Sequence, residues 1–146
     1  MSIRERCDQW LKENPQRAVI VMGDINDGFG KDYYEQRFSR SAVEILLGDV
    51  WYPDYILHSV LSDKPRLGKF GWTPNTSRYT DVLTGHKLNV LIDHILLSRQ
   101  AKVLDYMIWN PYLDFSDSAK SDQVKNIKTA LKKASDHFPV SATVEL

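Results

Sequence analysis

Two unbroken apolar runs set the frame of the chain. Val19-Ile20-Val21-Met22 leads directly into Gly23-Asp24, and Val90-Leu91-Ile92 continues through Asp93-His94 into Ile95-Leu96-Leu97. Short apolar runs bounded by turn residues predict buried strands, here over 18–24 and within Leu88–Leu97. Val103–Trp109 predicts another strand, closed by Asn110-Pro111, and Val140–Leu146 alternates as a last one. Tyr79–Val82 reads as a strand before the turn at Thr84-Gly85. Three segments carry helical spacing instead. Ile3, Cys7, Trp10 and Leu11 predict a helix over 3–13 that stops at Asn14-Pro15. Tyr33, Tyr34, Phe38, Ala42, Ile45 and Leu46 predict one over 32–47, with Asp32 as N-cap and Gly48 as stop. Val124, Ile127 and Leu131 predict a third over 123–133.

Residues 49–80 resist such a reading. Pro53, Pro65, Gly68, Gly71 and Pro74 interrupt any period, while Trp51, Tyr52, Tyr55, Phe70 and Trp72 give the segment apolar weight. Helical turns near 55–61 followed by a long loop are expected. Its Lys64, Arg66, Lys69 and Arg78 either face a substrate or lie in water over the core. The remaining strands, 18–24, 91–97, 103–109 and 138–145, suggest one mostly antiparallel sheet with helices on one face. Their apolar residues fall on both faces: Val19 and Val21 against Ile20 and Met22, Leu91, Ile95 and Leu97 against Ile92 and Leu96. The second face therefore calls for cover, from a second copy or from a further half-domain.

Composition narrows this picture. The 146 residues, 42% hydrophobic and 26% charged, suit one domain, 1–146, with a real core. Nineteen basic and nineteen acidic side chains cancel, so no bulk electrostatic grip on nucleic acid or anionic membrane is indicated. A single cysteine, Cys7, excludes an internal disulfide and fits a reducing compartment. No run approaches the roughly 18 apolar residues of a membrane span. Arg4, Glu5, Arg6 and Asp8 break any signal-peptide core, which makes a cytoplasmic location the default expectation.

Candidate chemistry lies at the strand ends. Asp24 and Asn26 stand two apart after the first run, a spacing that puts both on one face of an extended chain. The competing reading is a plain Asx turn. Asp93 interrupts an apolar run and so needs a partner. Asp136-His137 enters the last strand: an imidazole beside a buried carboxylate has a fixed tautomer, and an adjacent carboxylate suits a hard cation. His94 points away from Asp93 and is read as structural, and His58 and His86 as loop or surface residues. Lys125, Lys128 and Lys132 share a helical face, with Lys133 beside them; they either guide a phosphate backbone or form a solvated face.

Taken in order, Gly23-Asp24-Ile25-Asn26-Asp27, Leu91-Ile92-Asp93-His94-Ile95-Leu96 and Ser135-Asp136-His137-Phe138-Pro139-Val140 resemble the endonuclease/exonuclease/phosphatase superfamily, the deoxyribonuclease-I-like fold. The resemblance spans residues 18 to 144. It implies an α/β (α+β) chain forming half of a four-layer α/β/β/α sandwich, and metal-dependent hydrolysis of phosphate esters. By this resemblance Asp24 orients the attacking water, Asn26 holds it or the phosphate, Asp136 binds Mg²⁺ or Mn²⁺, and His137, oriented by Asp93, stabilises charge on the phosphoryl oxygens. The substrate is a phosphate ester: a nucleic-acid phosphodiester, an inositol phosphate or a phospholipid head group. The family's first half, with its metal-binding glutamate, has no counterpart. Glu5, Glu13, Glu35 and Glu44 fall on predicted helices and Glu145 near the chain end. The chain thus resembles a C-terminal half. Its expected partner is an N-terminal half or a second copy, and the alternative function is a non-catalytic binding or scaffold module.

Overall fold

The computed structural model describes residues 1–28, 36–37, 39–61, 84–85, 90–110 and 122–146. Helix α1 (Ile3–Glu13) begins with a capping box. Ser2 Oγ accepts the Glu5 N–H at 3.2 Å, and Glu5 Oε2 accepts the Ser2 N–H at 2.6 Å. Cys7 and Leu11, four residues apart, are its buried pair, whereas Ile3 and Trp10 are 55% and 40% exposed. The buried stripe is thus narrower than the spacing predicts, and the Arg6 guanidinium sits over the Trp10 ring instead.

The predicted helix 32–47 is interrupted: Gln36 and Arg37 are helical, and α2 (Ala42–Leu47) is a separate short helix. Ser39 adopts φ 67° and Ser41 becomes an N-cap with its own capping box to Glu44, which interrupts any helix running in from upstream. Asp32, Tyr33, Tyr34 and Phe38 lie outside the described residues. Gly48, at φ 99°, ends α2 as expected. Arg4 of α1 then donates to the carbonyls of Leu46 at 2.7 Å and Tyr55 at 3.0 Å, so the last turn of α2 is satisfied by the neighbouring helix.

Strands β1 (Ile20–Asp24), β2 (Leu57–Ser59) and β3 (Asp93–Ser98) form an antiparallel sheet in the order β1-β3-β2. β2 replaces the expected helical turns. A single 3-10 turn at Pro53–Tyr55 gives way to three extended residues paired with β3. Three residues are too few for a period of two to be told from a helical turn. In the β1–β3 register Met22 faces Ile95 and Asp24 faces Asp93.

The last two strands do not join this sheet. β4 (Lys102–Ile108) and β5 (Val140–Glu145) pair only with each other among the described residues, as a separate antiparallel ladder. A register shift between Val103 and Asp105 turns Leu104 outward, 55% exposed, and lets Val103 and Tyr106 share the inner side. Those two, with Val140, Ala142 and Val144, pack against Ile95, Leu97, Val60 and Ala101. On the opposite side of β3, Leu96 joins Cys7, Leu11, Val19, Leu46 and Leu57 under α1 and α2. The strands are therefore apolar on both faces, and the second face is partly covered by the chain's own ladder. Ile20 and Met22 stay 43% and 73% exposed.

Helix α3 (Asp122–Ala134) was expected beside the other helices; none of its described side chains, from Lys125 on, joins either cluster, and Ile127 is 45% exposed. The chain is thus α+β, with antiparallel sheets and, among the described residues, the helices α1, α2 and α3. The predicted strand Tyr79–Val82, the aromatic residues Phe70 and Trp72, the cations Lys64, Arg66, Lys69 and Arg78, and His86 lie outside the described residues. No helix among the described residues is long and apolar enough to cross a membrane.

Candidate active site

The β1–β3 pairing ends with two carboxylates side by side, Asp24 and Asp93, at the same end of the sheet. Asp93 is the first residue of β3 rather than an interior one, which lowers the cost of placing a charge there. Just before β5, His137 Nδ1 lies 2.8 Å from Asp93 Oδ2. An ionised carboxylate only accepts, so Nδ1 donates and the ring presents Nε2 elsewhere. Ligand atoms of Asp24, Asp93 and His137 all lie within 4.8 Å of one another. The three come from β1, β3 and the entry to β5.

His137 also lines a cleft of about 360 Å³, together with Asp93, Ser135 and an apolar wall of Met22, Ile95, Phe138 and Pro139. Gly23 borders the same cleft at φ 148°, where a side chain would be strained. The backbone N–H of His137 donates to Ser135 Oγ at 3.1 Å, which shapes the turn into β5. A second cleft, between α1 and α2, is remote from these groups. Its interior cation, Arg4, already donates to Asp8, Leu46 and Tyr55.

Asn26 departs from the extended geometry that the sequence suggests. Its φ of 56° takes it off the extended chain, and its N–H donates to Asp24 Oδ1 at 2.8 Å. The Asx turn is therefore present, and it keeps Asn26 beside Asp24 instead of a shared strand face doing so. Asp136 is exposed and is not part of the three-residue donor group. Lys125, Lys132 and Lys133 are exposed on α3, and Lys128 is half-buried.

Two residues of this region carry more specific roles than the sequence suggests; His94 was expected to be structural and Asp27 was given no role of its own. His94, 1% exposed, directs Nε2 to the Asp27 carbonyl at 2.9 Å; a carbonyl only accepts, so Nε2 bears the hydrogen. Asp27 in turn accepts the Gly28 N–H at 2.8 Å and, through Oδ2, the Ala42 N–H at the start of α2. A polar residue set in an apolar run was the available signal for His94. Asp27 gave none, because the Ala42 N–H that it ties down lies 15 residues further along the chain.

Burial pushes the His94 imidazole below its ordinary range; the carbonyls of Asp27 and Leu91 and the charges of Asp93 and Asp27 oppose this but do not cancel it. The unfolded chain thus takes up this proton before the native one does. Stability should be complete above about pH 6.5, the ordinary imidazole value, and fall as the pH drops below it. Urea midpoints measured from pH 7.5 to pH 5.5 should decline, and less steeply in His94→Gln, which has no proton to gain.

Comparison with protein-family models, with curated protein sequences and with solved structures finds no match to this chain.

Proposed function

We propose that this chain carries part of the catalytic site of a metal-dependent phosphoesterase, a nuclease or phosphatase. The observation that carries the reading is the Asp93–His137 contact at 2.8 Å with the Asp24 carboxylate in the same group. The three sequence motifs, far apart in the chain, contribute to one cleft end. The finer architecture follows from the same reading: α1 and α2, the three-stranded sheet and the β4–β5 ladder would be three layers of an α/β/β/α sandwich.

The two carboxylates, Asp24 and Asp93, fit a hard divalent cation, Mg²⁺ or Mn²⁺, whose other positions are commonly filled by water or substrate phosphate. When bound, the cation would act as a Lewis acid on a phosphoryl oxygen. Asp24 and Asp93 would be oxygen donors; Asp136, the donor named from the sequence, stands exposed next to His137. In this reading Asp24 also orients an attacking water, and Asn26 next to it would supply a neutral amide for a phosphoryl oxygen. Asp93 fixes the His137 tautomer, so that Nε2 can approach a phosphate in the cleft and hold or release a proton there.

Mn²⁺ binding followed by electron paramagnetic resonance tests the reading. Asp24→Asn and Asp93→Asn should each weaken it by at least about tenfold, since even residues behind the ligands commonly cost that much. Binding that ignores both substitutions would leave the chain a non-catalytic binding module.

A further inference from the structure

The turn that carries Asp24 and Asn26 is fastened to β3 from behind. Ile25 N–H donates to the Ile92 carbonyl at 2.8 Å. His94 Nε2 donates to the Asp27 carbonyl at 2.9 Å, from a side chain that is fully buried. Gly28 comes so close to the residues leading into β3 that an added Cβ would lie 3.2 Å from the Leu91 carbonyl oxygen. Asp27 Oδ2 ties the far end of the turn to the first N–H of α2. Neighbours along β3 project to opposite sides, so Asp93 faces His137 while His94 reaches the turn. Adjacent residues of one rigid strand thereby serve the two halves of the site.

From this geometry we infer that His94 is the positioning residue of the site. Through the Asp27 carbonyl it sets where the turn, and with it Asp24 and Asn26, stands relative to the Asp93–His137 pair. The inference rests on the proposed function for the identity of the bound species, a divalent cation; the placement of the turn is independent of it.

The test uses the full chain, Mn²⁺ alone as probe, and amide hydrogen exchange of the turn. His94→Leu removes the donor at similar size, and His94→Gln restores an N–H close to the position of Nε2. In His94→Leu the amides of Ile25 and Asn26 should exchange faster while those of Leu96 and Leu97 keep their protection. Mn²⁺ affinity should fall about tenfold, as for residues that orient metal ligands from behind. His94→Gln should recover both. A merely space-filling His94 would leave the turn amides unchanged in His94→Leu, or would make Gln no better than Leu; either result overturns the inference. If His94→Leu does not fold, His94→Asn, whose amide is too short to reach the Asp27 carbonyl, takes its place, and unchanged exchange and Mn²⁺ affinity in that variant overturn the inference equally. Mn²⁺ binding that is indifferent to Asp24→Asn counts against the proposed function instead, and exchange at the turn then decides the role of His94.

Discussion

Replacing His137 by alanine is expected to lower the Mn²⁺-supported hydrolysis of a simple phosphodiester such as bis(4-nitrophenyl) phosphate by about 10²- to 10⁴-fold, the usual share of a positioned acid–base group. Wild-type turnover should itself be weak, because the described donor group has three members and a hard cation prefers a fuller oxygen shell. The measurement therefore needs long incubations and a metal-free control. Asp93→Asn keeps an acceptor opposite Nδ1 and so keeps the ring in place, and its loss should be smaller. Wild-type and His137→Ala rates that coincide would remove His137 from the chemistry. Equal losses in Asp93→Asn and His137→Ala would instead mean that the charge matters as much as the ring.

Replacing Leu96 by alanine should lower the unfolding free energy by about 2–5 kcal/mol, the range for a buried leucine truncated in a packed core. Leu96 is fully buried and stands in the middle of the central strand, against Cys7, Leu11, Val19, Leu46 and Leu57. For a chain of this size such a change is a large fraction of the total stability. Equilibrium urea unfolding checks it; a shift below about 1 kcal/mol would mean that α1 and α2 relax into the vacated space.

Much of this arrangement was legible from the apolar runs, and what was not had specific causes. Asp93 announced its need for a partner by interrupting Val90–Leu97, and the partner is His137. The ends of α1 and α2 were partly legible through Asn14-Pro15 and Gly48. The start of α2 was not, because Ser39 and Ser41 turn the chain where Phe38, Ala42 and Ile45 continue a helical stripe. Alternation in Val140–Leu146 shows a strand but not which strand it pairs with, so the β4–β5 ladder was read as part of the larger sheet. The bond from His94 to Asp27 joins residues 67 apart, through a backbone oxygen that no side-chain pattern marks.

The contact that closes the site spans 44 residues, and the β1–β3 register that brings Asp24 to Asp93 spans more still. Contacts of such sequence separation carry a large loop-closure entropy and form late unless nearby structure has already drawn the ends together. A collapsed intermediate with α1 and α2 in place would still lack a cation site. During refolding, Mn²⁺ binding should accordingly rise after the far-ultraviolet helical signal, which makes the metal a reporter for the final long-range step of assembly.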